Sequence, residues 1–472
     1  MSLTLRAELP RKVLHICMGG FALLLRWLTP WQAVLMAVAA LVLNVFFLHR
    51  LTRQALLRPG ERASGISRGV IAYPTALLGV FLIFPSRLEL AAGVWGLLAM
   101  GDSMATLGGL VVGGPRLPWN RTKRWAGFVA FIVFGTMSSA FLIRWTQLSR
   151  GATALWPRID VTWIGASFSP GGVVDGGGLG FLLVGCFAAA SVAAFAESIE
   201  SSIDDNFLVP LSGALMLAGS TLIIPAQLAA ISPMLLSAFL WGLVVTVPFS
   251  LLAYSTRSVD RSGVLGGTLV GTLTYALAGW PGFALLTLLV TVGVGATRFG
   301  QSNKTALGIA QERGGRRGAA SAFANTGVAV ACGFLAVATP FTDIFTMAMV
   351  AAFATALFDT TASEIGKAAG RRHYLVTTFR SVPAGTDGAV SLEGTGAGMI
   401  AAMAMAVLAV LCGVLTIAGA FAASVGALAG AMIESLAGAL MGERKGSDSE
   451  VLNVMNTVVG AAVAVALFQA FF

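Results

Sequence analysis

Charge is scarce in this chain. Asp, Glu, Lys and Arg make up 11% of its 472 residues, where a soluble domain carries about 25%. A soluble protein of this length would still need a polar surface, so the composition argues against a soluble globular chain. Cysteine is scarce too. Cys17, Cys186, Cys332 and Cys412 lie far apart within apolar stretches, so free thiols are expected rather than a disulfide framework. The 57 glycines follow no strict three-residue period, which excludes collagen. No clear small-residue site follows the basic start, so no cleavable signal peptide is expected. The net charge of +9 comes with no recognisable nucleic-acid motif, and no nucleic-acid partner is expected.

What is present is apolar. Hydrophobic residues make up 57% of the chain, and several runs reach about 18–20 residues, enough to cross a hydrocarbon core as a helix. The expected fold is an all-α polytopic membrane protein of two fused modules with about 15 transmembrane helices. The spans fall near 11–30, 31–49, 68–86, 88–113, 125–143, 177–197, 208–225 and 230–254. They continue near 262–279, 281–297, 318–338, 342–364, 396–419, 420–441 and 452–471. A short polar break at 255–262 divides the chain into modules 1–254 and 255–472. Basic residues cluster in the loops at 50–68, 114–124, 298–317 and 365–395. By the positive-inside bias the N terminus and these loops are cytoplasmic and the C terminus is opposite. A prokaryotic inner membrane is the expected location. The glycine-rich stretch 171–178 reads as plain loop, because it lacks the ending of a phosphate loop.

Acidic residues at the ends of spans are the candidates for chemistry. Residues 101–109 read GDSMATLGG. A carboxylate at membrane depth is costly unless paired, solvated or metal-bound. Asp102 therefore reads either as a magnesium ligand or as a paired group in a packing motif. One loop later, Lys123 with Arg121 and Arg124 reads as a phosphate clamp or as an ordinary basic anchor. Residues 197–206, ESIESSIDDN, bring Glu197, Glu200, Asp204 and Asp205 to one boundary with Asn206 beside them, where carboxylates can hold divalent ions against nucleotide phosphates. A solvated acidic loop is the plain alternative.

The second module repeats the order. Asp359 and Glu364 end an apolar span, and Lys367 and Arg380 follow. Gly385, Thr386, Asp387 and Ser391 form a small-residue loop able to approach phosphate. Glu434, Asn453 and Asn456 bring polar groups into the last two spans, as pocket residues or as helix-packing partners.

At these residues the first half resembles the membrane polyprenol kinases, including phytol and dolichol kinases, and their cytidylyltransferase relatives. The carriers are Arg11-Lys12-Val13-Leu14-His15, Gly101-Asp102-Ser103 with Ala105, the Lys123 loop, and Glu197 through Asp205, Asn206 and Pro210. Residues 262–472 resemble the integral-membrane family that includes plant phytyl-phosphate kinase. Here the carriers are Lys304, residues 314–320, Asp359 through Gly366, Gly385 through Ser391, Glu434 and the 453–457 region. The resemblance implies a two-step salvage enzyme. Phytol or a related isoprenoid alcohol would become a monophosphate and then a diphosphate, with Mg2+ as cofactor and CTP as phosphoryl donor. Asp102, Lys123, Glu197, Asp205, Asp359, Glu364 and Glu434 would be catalytic, and the six carboxylates among them metal ligands. Arg121, Asn206, Lys304, Lys367, Arg380, Gly385, Thr386, Asp387, Ser391, Asn453 and Asn456 would hold nucleotide or phosphate. A cytidylyltransferase and a lipid-phosphate transporter remain the alternatives.

Overall fold

The computed structural model describes residues 3–48, 68–148, 179–442 and 448–471. The loop at 50–67 and the glycine-rich stretch 171–178 lie outside the described residues. The chain forms two compact units, Met1–Leu222 and Ile223–Phe472.

In the first unit, α1 (Leu3–Gly19) runs into a tight turn at Gly20–Arg26. Helix α2 (Pro30–Leu43) then starts with Pro30 at its first position, and Thr29 and Gln32 bond reciprocally across the N-terminus. This box satisfies donors a helix start otherwise leaves orphaned. Helices α3 (Arg68–Ile83), α4 (Leu88–Val111), α5 (Trp125–Gln147), α6 (Leu179–Ser198) and α7 (Asp205–Leu222) follow. Helix α4 is the core element: every residue from Leu88 to Gly96 is buried. Small residues allow this enclosure. A Cβ on Gly96 would lie 3.0 Å from the α5 backbone at Ser139, and one on Gly101 would lie 2.7 Å from Phe131. Within α4 the backbone widens into one π turn over Leu97–Gly101. Such turns are frequent at functional sites, and this one ends immediately before Asp102.

The second unit begins with α8 (Pro225–Ser255). The unit boundary therefore falls after Leu222, ahead of the polar break at 255–262. The reason is close helix packing. Gly242 faces Thr272, whose carbonyl oxygen would lie 2.8 Å from a Cβ there, and Gly271 faces Thr246. Gln227 also donates to the Val337 carbonyl at 2.9 Å. Next come α9 (Arg261–Arg298), α10 (Gln301–Ala306), α11 (Ala319–Ala338) and α12 (Thr342–Ala369). Three short strands, β1 (His373–Leu375), β2 (Ser381–Val382) and β3 (Ala389–Val390), pair antiparallel in the order β2-β1-β3. Helices α13 (Leu392–Leu411), α14 (Ile417–Met441) and α15 (Asp448–Phe471) complete the unit. Helix α12 is its core, buried without a break from Met347 to Leu357.

Ten helices are long and apolar enough to cross a membrane, among the described residues. The fold is helical and membrane-embedded as expected, but the span count of about 15 is not reproduced. Two causes are visible. Pro30–Phe46 and Ile71–Ile83 are shorter apolar helices, and the stretch 11–30 breaks at the Gly20 turn. Helix α9 also counts once although it doubles back. Gly279 takes φ 63° and ψ −160° inside it. Arg298, at its far end, bonds Ser258 Oγ beside its start at 3.1 Å. A straight 38-residue helix would hold its ends about 57 Å apart. It is therefore a hairpin of two spans, matching the expected 262–279 and 281–297.

Candidate functional site

In the first unit, five elements converge on one polar centre. Lys12 and His15 are three apart on α1 and share a face. Asp102 follows the π turn of α4, Lys123 precedes α5, Glu197 sits near the end of α6, and Asp205 opens α7. Lys12 Nζ lies 2.6 Å from Asp102 Oδ2, and His15 Nδ1 lies 3.7 Å from the same oxygen. Lys123 Nζ lies 2.7 Å from Glu197 Oε1 and 3.5 Å from Asp205 Oδ2. It also donates to the Glu197 carbonyl.

The loop carrying Lys123 is pinned to the end of α6. Asn120 Nδ2 donates to the Ser198 carbonyl at 2.9 Å, and Trp119 Nε1 donates to Ser198 Oγ at 2.9 Å. Asn120 Oδ1 meanwhile accepts from the Thr122 N–H at 2.9 Å. The position of Lys123 is therefore set by the hydrogen bonds of its neighbours in the loop.

Oxygens of Asp102, Glu197 and Asp205 all lie within 4.8 Å of one another. Three such carboxylates repel, and Lys12 and Lys123 hold them together here. Burial alone would lower the Lys123 pKa, but Glu197 and then Asp205 raise it on balance. Burial pushes the Asp205 carboxyl up to about 7, against the pull of Lys123, and Glu197 and Asp102 add to the rise. Its side chain is still 40% exposed, so solvent tempers that effect.

The centre lines part of a cavity of about 610 Å³. Its walls are apolar, with Met18, Phe21, Met36, Leu77, Phe81 and Trp95 among them. Tyr73 accepts from Trp95 Nε1 at 2.7 Å, and His15 packs edge-on against the Tyr73 ring. Among the described residues, His15 Nε2 is buried with no hydrogen-bond partner.

The sequence candidates divide here. Asp102, Lys123, Glu197 and Asp205 meet at the cavity. Asn206 lines it, with its amide group bonded to Asp204 at 2.7 Å. Arg121 is exposed and makes none of these contacts. Asp204 of the acidic cluster lines the cavity too, and Lys12 and His15 line it without having been given a role. A basic residue and a histidine three apart on one helical face were the available signal for these two.

In the second unit, Lys304 on α10 is fully buried and lies 2.5 Å from Glu364 Oε2 on α12. Its Nζ also donates to the Thr297 carbonyl at 2.7 Å. Glu364 Oε1 is buried with no hydrogen-bond partner among the described residues. Asn456 Nδ2 donates to Glu434 Oε2 at 2.5 Å. Gly430 faces both Thr355 and the Asn456 carbonyl. One turn further along, Asp359 on α12 and Glu434 on α14 therefore come level with each other. Asp359, Glu364 and Glu434 form no close ligand set, among the described residues.

Other second-unit candidates have structural partners. Ser391 Oγ accepts from the Gly394 N–H at 3.1 Å and caps α13. Thr386 Oγ1 donates to the Pro383 carbonyl at 2.8 Å. Gly385 takes φ 85° in the turn joining β2 to β3, and Asp387 follows in the same turn. Arg380 is exposed, and Lys367 is half-buried in the last turn of α12. Asn453 is half-buried, and its carbonyl accepts from Thr457 Oγ1 at 2.9 Å.

A family model described as integral membrane protein DUF92 matches residues 244–465. An uncharacterized membrane protein of Synechocystis is 36% identical over 241 residues, 50% of this chain and 90% of that protein. Protein VTE6, chloroplastic, of Arabidopsis thaliana is 34% identical over 218 residues, 45% of this chain and 66% of that protein. A protein of Glycine max named probable phytol kinase 3, chloroplastic, is 27% identical over 225 residues, 44% of this chain and 62% of that protein. The chain thus spans less than two thirds of the length of the VTE6 and phytol kinase relatives. No solved structure matches.

Proposed function

This chain belongs to the integral membrane family DUF92, and on that footing we propose that it is a membrane isoprenoid kinase with two phosphoryl-transfer sites. The first unit phosphorylates phytol or a related alcohol, and the second phosphorylates the monophosphate. CTP is the proposed donor. The name phytol kinase among the relatives supports the substrate class.

The observation that carries the reading is the first-unit centre, with three carboxylates and two lysines lining an otherwise apolar cavity. Oxygen ligands this close suit a hard divalent cation such as Mg2+, which when bound would offset nucleotide charge during transfer. Asp102, Glu197 and Asp205 would hold it. Lys123 then faces the phosphates from its pinned loop. Asp205, the most exposed of the three carboxylates, is the one placed to orient the alcohol as well. The apolar walls hold the isoprenoid tail out of water. In the second unit the incoming phosphate oxygen is already anionic, so that step needs charge neutralisation more than a base.

The test is product mass after incubating the purified chain with phytol, Mg2+ and CTP. Phytyl diphosphate with release of CDP supports the reading. A CMP-linked lipid with released pyrophosphate would point to cytidylyltransfer. Absence of product from phytol, farnesol, geranylgeraniol and their monophosphates would reject it.

A further inference from the structure

One hydrogen-bonding atom beside the first-unit cavity is left unsatisfied. His15 lines that cavity from α1, on the same face as Lys12. Its Nδ1 faces Asp102 Oδ2 at 3.7 Å. Its Nε2 is buried and, among the described residues, has no hydrogen-bond partner. The ring is held between the polar centre and an aromatic wall. Tyr73 of α3 meets it ring against ring, with centroids 4.5 Å apart and planes at 71°. The Tyr73 oxygen is itself fixed by Trp95 Nε1 of α4 at 2.7 Å.

The neighbours decide what the unsatisfied atom can do. Burial and the Lys12 ammonium, 2.6 Å from the same Asp102 oxygen, both favour a neutral ring. A neutral imidazole donates from one nitrogen and accepts at the other. The carboxylate selects the tautomer with its hydrogen on Nδ1. Nε2 is then an acceptor. The two ring nitrogens point in nearly opposite directions, so Nε2 turns away from Asp102. A buried acceptor without a donor is costly, and a ligand that donates to it removes the cost.

We infer that His15 Nε2 receives the hydroxyl hydrogen of the isoprenoid alcohol, so that His15 selects a free alcohol over the same chain with its oxygen capped. The inference rests on the reading of the first unit as a site for such alcohols. A hydroxyl has one hydrogen to donate. The Asp205 side chain is 40% exposed, so a bond there replaces one made to water. A bond at Nε2 satisfies an atom with no other partner, and the selectivity therefore comes from His15.

The experiment uses the full chain in detergent and two ligands with one tail, phytol and phytyl methyl ether, which lacks the hydroxyl hydrogen. Thermal stabilisation by each is read without nucleotide, beside the KM for phytol with CTP and Mg2+. Wild type should need roughly 10- to 100-fold more ether than phytol for the same stabilisation, the range set by one unsatisfied buried acceptor. His15→Phe keeps a ring against Tyr73 without the acceptor. His15→Asn keeps a polar group at the Nδ1 position only, and His15→Gln places its amide near the Nε2 position. The Phe and Asn variants should lose the preference and raise the phytol KM about tenfold or more, with the CTP KM within about twofold of wild type. His15→Gln should keep part of the preference, which a role in packing alone would not give. Should His15→Phe fail to fold, the contrast of Asn with Gln carries the test. Equal stabilisation of wild type by alcohol and ether, or a preference kept in both the Phe and Asn variants, would overturn the assignment. So would a wild-type chain that neither ligand stabilises. A preference for phytol that His15→Asn removes, with no turnover by wild type, would keep the alcohol site and reject the kinase.

Discussion

Asp205 and Lys304 show how burial sets the behaviour of single charges. The Asp205 carboxyl sits at about 7 instead of 3.8. Between those values the folded chain keeps a proton that the unfolded chain has lost, so this group lowers stability as pH rises toward 7. A cation bound by Asp205 must displace that proton. Mg2+ affinity should therefore rise with pH and level off above about 7, changing about tenfold per pH unit below it. Thermal shift against Mg2+ at about pH 6 and about pH 8 measures this, and Asp205→Asn should flatten the dependence. Lys304 is 0% exposed and its partner Glu364 is 1% exposed. Lys304→Met leaves a buried carboxylate unpaired and should cost about 3–5 kcal/mol. Adding Glu364→Gln should recover much of that loss in denaturation assays, because the orphaned charge is gone.

At the scale of elements, helix contact in lipid depends on small residues, since lipid tails are as apolar as the side chains they would be exchanged for. Gly460 on α15 packs directly on Thr355 Oγ1 of α12, and Gly430 on α14 lies 2.7 Å from Thr355 Cγ2 by its ideal Cβ. These contacts bring Asp359, Glu434 and Asn456 to one level. Gly460→Ala should push α15 away from α12 and destabilise the chain by about 1–3 kcal/mol. Thr355→Ala should restore part of the loss, which a double-mutant cycle on thermal unfolding would measure. The α9 hairpin uses glycine differently. Gly279 reverses the chain at a positive φ that side chains other than glycine adopt with strain.

For the whole molecule, the proposed two-step reading, with one polar centre in each compact unit, implies lesions that separate by step. Asp102→Ala should lose monophosphate formation yet still convert supplied phytyl monophosphate. Asp359→Ala should accumulate the monophosphate from phytol. Product mass distinguishes these outcomes, and loss of both steps in either variant would reject the assignment of one step to each unit.

Membrane character could be read from the sequence, because length and apolarity of a run are local quantities and the bilayer fixes how much is needed. The same locality explains why Asp102, Lys123, Glu197 and Asp205 stood out: charge beside an apolar run is costly, so each required a reason. Only the tertiary structure decided how those groups pair. Lys12 meets Asp102 across 90 positions, and Lys304 meets Glu364 across 60, separations that no periodic pattern encodes. It also put Ser391 and Thr386 into capping and turn bonds, which use the small polar residues that a phosphate loop would use. The position of α8 likewise followed from helix-to-helix fit at Gly242 and Gly271 rather than from the polar break in the chain. Local composition set which segments leave water, and the packing of small residues set which of their polar groups meet.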